Sequence, residues 1–153
     1  MSSLNGEPII VSGGTAGLAH YPHARLAPGG QTRTLYISGT SSRLPDGTFD
    51  GVKVNEDGSL NFDVRQQTFT IIRNIEAIIK NATAGRGNLG NIIDATIFLV
   101  DIGKNYSGMN AVWNEFWPRV DTAPARTTIG VKELPSPKIV VEFKCTALID
   151  VDG

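Results

Sequence analysis

The chain has 153 residues, of which 41% are hydrophobic, and its 14 basic and 15 acidic residues leave a formal net charge of −1 at pH 7. A chain of this length buries roughly 70% of its extended surface without a metal or a disulfide, so we expect one domain over residues 1–153. The balanced charge gives no long-range field that would favour nucleic acid or an anionic membrane as a partner.

The single cysteine, Cys145, excludes an internal disulfide and a cysteine-based metal cluster. It stands in an apolar, strand-like run, which favours core packing over a role as nucleophile. Residues 1–8 lack a basic segment leading into an apolar one, and no apolar run approaches the ~18 residues of a membrane span. We therefore expect a soluble cytoplasmic protein.

The first forty residues predict short strands. Residues 8–11 are a strand candidate that ends in a glycine-rich loop at residues 12–17, and residues 20–27 and 34–38 predict a hairpin around a proline-glycine turn. Gly39 follows the second strand directly and permits close approach of the backbone to a ligand. Further turns are predicted at residues 45–47 and 55–58.

Residues 63–80 carry the clearest helical period, with Asp63 or Asn61 as the cap and Gln66 as the capping-box partner of Asp63. The predicted apolar stripe consists of Val64, Thr68, Phe69, Ile71, Ile72, Ile75, Ile78 and Ile79. Its β-branched residues lower the intrinsic helix propensity, so this helix should depend on packing against a sheet.

The second half of the chain alternates strand and helix. Residues 92–101 predict a central strand, and residues 106–117 a helix capped by Ser107, whose Tyr, Met and Trp stripe we assign to the core. Two strands follow at residues 127–131 and 138–149. This order predicts an α+β fold, with a mixed β-sheet and two helices packed on one face.

Arg126 and Glu142 are the chemical groups that stand out. An arginine binds a carboxylate through two parallel hydrogen bonds, and a glutamate in a site can hold a water or exchange a proton. The two residues are sixteen positions apart, with strand and turn between them. They would suit a small anionic substrate, or they could simply pair with each other across a sheet.

The segment from Arg126 to Glu142, together with residues 36–40, resembles the signature of the Rid family of enamine and imine deaminases, also called the YjgF family. Residues 38–49 are similar, more particularly, to the 2-aminomuconate deaminase branch. The similarity extends over residues 21–147. It implies a chorismate-mutase-like fold, a homotrimeric barrel with active sites at subunit interfaces, and catalysis without a cofactor or metal.

The resemblance also implies roles for single residues. Arg126 would hold the substrate carboxylate, Glu142 would position the attacking water or shuttle a proton, and Gly39 and Thr40 would orient the substrate. Alternatively, Glu142 is a surface residue paired with a lysine, either Lys144 or Lys132. Thr128 replaces the cysteine of many relatives, so the mechanism would run without a nucleophilic thiol.

Four further residues complete the predicted substrate site. Tyr21 occupies the early aromatic position of the family and Asn110 an amide position near the start of the second helix. His23 could donate to an anionic substrate, and its spacing from the other histidine, His20, is not that of a metal-ligand pair. Arg43 is a candidate for binding a second carboxylate, unless it is an ordinary surface arginine.

The leading hypothesis is hydrolytic deamination of 2-aminomuconate to a 2-oxo dicarboxylate and ammonia, as in catabolism of the 2-aminophenol or tryptophan-kynurenine type. A general Rid deaminase acting on 2-aminoacrylate and similar imines is the nearest alternative. A non-catalytic ligand-binding trimer is another. Action on nucleic acid is a weaker option, because the charge is balanced and no basic-aromatic stripe is present.

Overall fold

The structure of the chain, a computed structural model, describes residues 4–12 and 18–150, so most of the glycine-rich loop predicted at residues 12–17 lies outside the described residues. Apart from one 3-10 turn at Leu89–Asn91, the regular elements of this part are β1 (Glu7–Ile9), β2 (Ala24–Leu26), β3 (Thr32–Thr40), β4 (Val52–Val54), β5 (Leu60–Phe62), α1 (Val64–Ala82), β6 (Ile92–Val100), α2 (Ile102–Phe116), β7 (Ala125–Val131) and β8 (Val141–Asp150). Neither helix is long and apolar enough to cross a bilayer.

Four strands form the main sheet, in the order β3-β8-β6-β7. The β6–β7 pair is parallel, as the intervening helix α2 requires, and the other two pairs are antiparallel. The prediction of a mixed sheet with residues 92–101 as a central strand is therefore confirmed. The strand pairs β1–β2 and β4–β5 form two small ribbons apart from this sheet, and neither pairing was predicted.

The hairpin predicted for residues 20–38 is wrong, because β2 pairs with β1 and β3 pairs with β8. Arg25 on β2 ties this strand to the residues just before β1: its Nε and Nη2 atoms donate to the carbonyls of Asn5 and Gly6. Its Nη1 atom donates to the carbonyls of Asp121 and Ala123, at 2.9 Å each. An alternating pattern identifies a strand but does not select its partner.

Helix α1 begins at the predicted cap, where Oδ1 of Asp63 accepts a hydrogen bond from the amide of Gln66 at 3.0 Å. The side chain of Gln66 donates to Asp50 instead of returning to the cap, so the predicted capping box is only half formed. Phe69 and Ile78 lie at the margins of the apolar stripe and are 39% and 40% exposed, contrary to the prediction that both belong to the buried face.

Helix α2 begins at Ile102, five residues before the predicted cap Ser107. Asp101 takes a left-handed conformation with φ of 50°, which turns the chain directly from β6 into the helix without a side-chain cap. Aspartate is a preferred N-cap residue, but the side chain of Asp101 makes no capping hydrogen bond here. The last two strands also begin two or three residues away from their predicted starts, at Ala125 and Val141.

Both helices pack on the same face of the sheet, as predicted, and share one core with it. Cys145 lies in this core, where burial, reinforced by Asp94, raises the pKa of its thiol to about 12. The opposite face of the sheet carries Tyr36, Glu142 and Ile129 and packs against neither helix. Tyr36 is 75% exposed and Ile129 is 42% exposed, so part of this uncovered face is apolar.

Candidate functional site

Arg126 lies on the edge strand β7 and points toward helix α2. Its register partner on β6 is Ala95, which is buried in the core between sheet and helices. Partners in a sheet share a face, so the side chain of Arg126 extends over the core side and not over the uncovered face. The strand register therefore determines which groups surround the guanidinium.

Aromatic side chains enclose the guanidinium of Arg126. Its central carbon lies 4.8 Å from the ring centre of Tyr21 and 4.9 Å from that of Trp113, and Nη2 donates to the hydroxyl of Tyr106 at 3.3 Å. Nη1 lies 3.9 Å from the sulfur of Met109. Residues 106, 109 and 113 recur at helical spacing on α2 and belong to the core or pack against it, as predicted, so the same stripe also lines this site.

The cation has no acidic partner within the described residues, where ion pairs join only Arg73 to Glu76 and Arg119 to Asp121. Burial lowers the pKa of Arg126, and the nearby Tyr106 and Tyr21 raise it in part. Arginine titrates so far above neutrality that the group remains charged. A half-buried guanidinium with unused hydrogen-bond donors favours binding of a planar anion, such as a carboxylate, whose oxygen atoms accept those hydrogen bonds.

Tyr21 is held over Arg126 by its neighbour His20. The His20 amide donates to Oδ1 of Asn114 at 2.9 Å, and Nε1 of Trp113 donates to the His20 carbonyl at 2.9 Å. Nδ1 of His20 lies 2.9 Å from the Trp117 carbonyl, which only accepts, so that ring nitrogen carries the proton. His20 thus fixes the chain beside Tyr21 and is not available as a metal ligand through Nδ1.

Glu142 lies on β8, on the uncovered face, against the backbone of β3. A Cβ atom added to Gly39 would lie 2.9 Å from Oε2 of Glu142, so only glycine lets the carboxylate come this close. Glu142 forms no ion pair with a described residue. Nζ of Lys144 donates to the Ile37 carbonyl at 2.7 Å instead, so the lysine pairing considered from the sequence is wrong.

Gly39, Thr40 and Arg43 are brought together along one hollow of about 690 Å³, which also includes Asn74 and Ile78. The main chain turns back after Arg43, through the predicted turn at residues 45–47, and Arg43 bridges to Phe49. The side chain of Arg43 is exposed at the mouth of this hollow.

Arg126 and Glu142 do not meet within one chain. The register partner of Arg126 on β6 is Ala95 and that of Glu142 is Phe98, which points to the opposite face. Two strand spacings and three residues separate them, which places their Cα atoms roughly 14 Å apart. The alternative that they pair across the sheet is therefore wrong.

The predicted site residues fall into two groups. We call Arg126 with Tyr21 and the aromatic residues of α2 the arginine half-site, and Glu142 with the Gly39 hollow the glutamate half-site. The two remaining predicted residues hydrogen-bond to neither charged group: Nδ1 of His23 accepts from the Val11 amide at 3.1 Å, and Asn110 is buried on α2 with no partner for its Oδ1 among the described residues.

Sheet, helices and half-sites together define a small α+β protein that presents an arginine and a glutamate on opposite faces of one sheet. Residues 16–149 match the model of the family described as Endoribonuclease L-PSP, and the chain belongs to this family, which includes the RutC and Rid proteins. The predicted family and the predicted α+β fold of the single chain are thereby confirmed, and the homotrimer stays a prediction. The assignment of the chain to the 2-aminomuconate deaminase branch also stays a prediction.

Individual relatives agree with membership of this family and with its fold. A RutC family protein of Aquifex aeolicus is 36% identical over 52% of this chain and 61% of its own length. The RutC family protein YoaB of Escherichia coli K12 is 33% identical over 60% of this chain and 75% of its own length. The crystal structure of the Rid family protein YyfB from Yersinia pestis superposes with a TM-score of 0.69 at 22% identity, over 85% of this chain and 87% of that one.

Proposed function

We propose that this protein is a deaminase that hydrolyses 2-aminomuconate, working without a cofactor as a homotrimer with active sites between neighbouring subunits. One observation carries the proposal: the guanidinium of Arg126 is half-buried among aromatic rings and has no acidic partner among the described residues. A planar carboxylate of a small substrate would satisfy it through two charge-assisted hydrogen bonds.

The reaction needs only acid-base help. Protonation of the enamine at carbon gives an iminium ion, and water then attacks the carbon that bears nitrogen. The new C–O bond forms as water loses a proton, and the same proton then passes to the nitrogen. The C–N bond breaks with release of ammonia, and loss of the hydroxyl proton leaves the 2-oxo dicarboxylate. Arg126 would hold the carboxylate next to the reacting carbon, and Glu142 would orient the water and accept its proton.

The position of Arg43 supports the proposal that the substrate has two carboxylates. It lies on the hollow that begins at Gly39, next to Glu142, and its guanidinium is exposed. A substrate held at one end by Arg126 would place its far carboxylate toward Arg43. Without a contact to Arg43, the protein would act as a general deaminase of monocarboxylic imines.

The homotrimer would bring the half-sites together. The arginine half-site and Glu142 lie on opposite faces of one sheet, so only a neighbouring copy can place one opposite the other. The uncovered face, with Tyr36 and Ile129, supplies apolar surface for such a contact. A ring of identical, head-to-tail contacts would form one complete site at each interface.

Ammonia release from enzymatically generated 2-aminomuconate and from 2-aminoacrylate tests this proposal, with wild type compared with Arg126→Ala. The matched control is Arg65→Ala, which removes an exposed arginine from α1. Faster decay of the dicarboxylate, lost in Arg126→Ala and retained in the control, supports the proposal. Activity on 2-aminoacrylate alone favours the general deaminase.

Two other outcomes would overturn the proposal that the protein is a deaminase. Binding of either compound without ammonia release would make the protein a ligand-binding trimer. Cleavage of single-stranded RNA that survives Arg126→Ala, in the absence of deamination, would favour the activity that the family description names.

A further inference from the structure

We infer that Asn74 is a positioning residue that sets Arg43 for recognition of the far carboxylate; this inference rests on the proposed function. Asn74 lies on α1, and both hydrogens of its side-chain amide are used. Nδ2 donates to the Ser41 carbonyl at 3.0 Å and to the Arg43 carbonyl at 2.9 Å.

Asn74 belongs to a polar row on α1 that binds the loop of residues 41–50. Gln66 and Thr70 precede it at intervals of four residues, which places all three on one side of the helix. The side chains of Gln66 and Thr70 donate to Oδ2 of Asp50, at 2.8 Å and 2.7 Å. Gln66 and Thr70 therefore hold the end of the loop, and Asn74 holds its beginning.

The loop also closes on itself. The Asp50 amide donates to the Ser42 carbonyl at 2.9 Å, and the Ser42 hydroxyl donates to the Asp50 carbonyl at 2.8 Å. These bonds fix the width of the loop but not its position against the helix. The side chain of Arg43 is exposed, and the Arg43 carbonyl accepts a hydrogen bond from the side-chain amide of Asn74. Asn74 therefore fixes the backbone position from which the Arg43 side chain extends.

Positioning of this kind affects recognition more than chemistry. A guanidinium held in place loses less freedom on binding than one on a loose loop. Loss of the Asn74 bonds should therefore weaken the contact of Arg43 with a dicarboxylate and leave the distant Arg126 unchanged. A substrate with a single carboxylate, bound only at Arg126, should be little affected.

Steady-state kinetics of Asn74→Leu with both substrates tests the inference. We expect KM for 2-aminomuconate to rise about tenfold, the weakening that corresponds to one charge-assisted hydrogen bond. The value of kcat should change less than about threefold, as should KM for 2-aminoacrylate. Asn74→Ala provides a second variant without the donors, and Asn81→Leu, an exposed asparagine on the same helix, is the matched control.

A double-mutant cycle with Arg43→Ala separates positioning from general stability. If Asn74 acts through Arg43, Asn74→Leu should change KM less than about twofold once Arg43 is gone. An equal loss for both substrates, an unchanged effect in the Arg43→Ala background, or kinetics identical to wild type would each overturn the inference.

Binding of unreactive cis,cis-muconate, measured by calorimetry, distinguishes this inference from the proposed reaction. A wild type that releases no ammonia but binds muconate about tenfold more tightly than Asn74→Leu would overturn the deaminase proposal and support the role of Asn74. A wild type that neither reacts nor binds muconate would overturn both.

Discussion

Gly39 and Glu142 are in contact across the β3–β8 pair, and the contact depends on the absence of a side chain at residue 39. A Cβ atom there would lie 2.9 Å from Oε2 and 3.1 Å from Cδ of Glu142. The sheet register is irregular between Ile37 and Thr40, which is where Gly39 stands. The Glu142 carboxylate, which we propose as the general base, can therefore occupy this position only because the residue that it contacts on β3 is a glycine.

Gly39→Ala should displace the Glu142 carboxylate and lower kcat about 10- to 100-fold, the effect of a small misplacement of a reacting group. The unfolding midpoint should change by only a few degrees, because Gly39 is exposed. Gly29→Ala is the control, since a Cβ atom at residue 29 meets no atom within 4 Å. Full activity of Gly39→Ala would argue against catalysis by Glu142.

Mixed oligomers should recover activity that neither parent variant has. If Arg126 of one subunit and Glu142 of the next form each site, a trimer that contains both Arg126→Ala and Glu142→Gln chains keeps about one third of its sites intact. Co-expression with two affinity tags isolates the mixed species, and ammonia release measures its activity. A mixed species as inactive as its parents would show that the two groups do not act across an interface.

Arg126→Met should leave thermal stability unchanged or raise it, while abolishing deamination. The guanidinium is partly desolvated without an acidic partner among the described residues, so a thioether of similar length removes a cost of burial. Circular dichroism melts of Arg126→Met and of the exposed control Arg65→Met measure this. A loss of more than about 1 kcal/mol would instead assign Arg126 a structural role.

Thr70→Val should destabilise the protein at neutral pH more than in acid. Hydrogen bonds from Thr70 first, and then from Gln66, lower the pKa of Asp50. The stability that these hydrogen bonds contribute is present above a pH of about 3.9, the ordinary pKa of the carboxyl group in the unfolded chain. It is lost as the pH falls through the lower pKa of Asp50 in the folded protein.

Urea unfolding at pH 7 and near pH 2 measures this difference, and we expect a loss of about 1–2 kcal/mol at pH 7. Thr68→Val is the matched control, because the Thr68 hydroxyl donates to the Val64 carbonyl within the helix and not to a carboxylate. Equal pH dependence in the two variants would contradict the role of Asp50.

The sequence by itself determined the type and chain order of the two helices and of the four strands of the main sheet, together with the family. The three- and four-residue spacing of isoleucines placed α1, and the alternation after Ile92 placed β6, because these periods are local properties of helix and strand. The arginine and glutamate motifs identified the family, which the comparisons confirm.

Only the tertiary structure decided which elements pair and which side chains meet. β2 pairs with β1, and Arg25 on β2 binds four carbonyls distant in sequence, a set of contacts with no periodic signal. Trp113 lies in the core and Tyr106 packs against it, as predicted. Both also surround Arg126, because β7 joins β6 in parallel register. The β6–β7 and β6–β8 registers together place Arg126 and Glu142 on opposite faces, since each residue step along a strand reverses the side-chain direction.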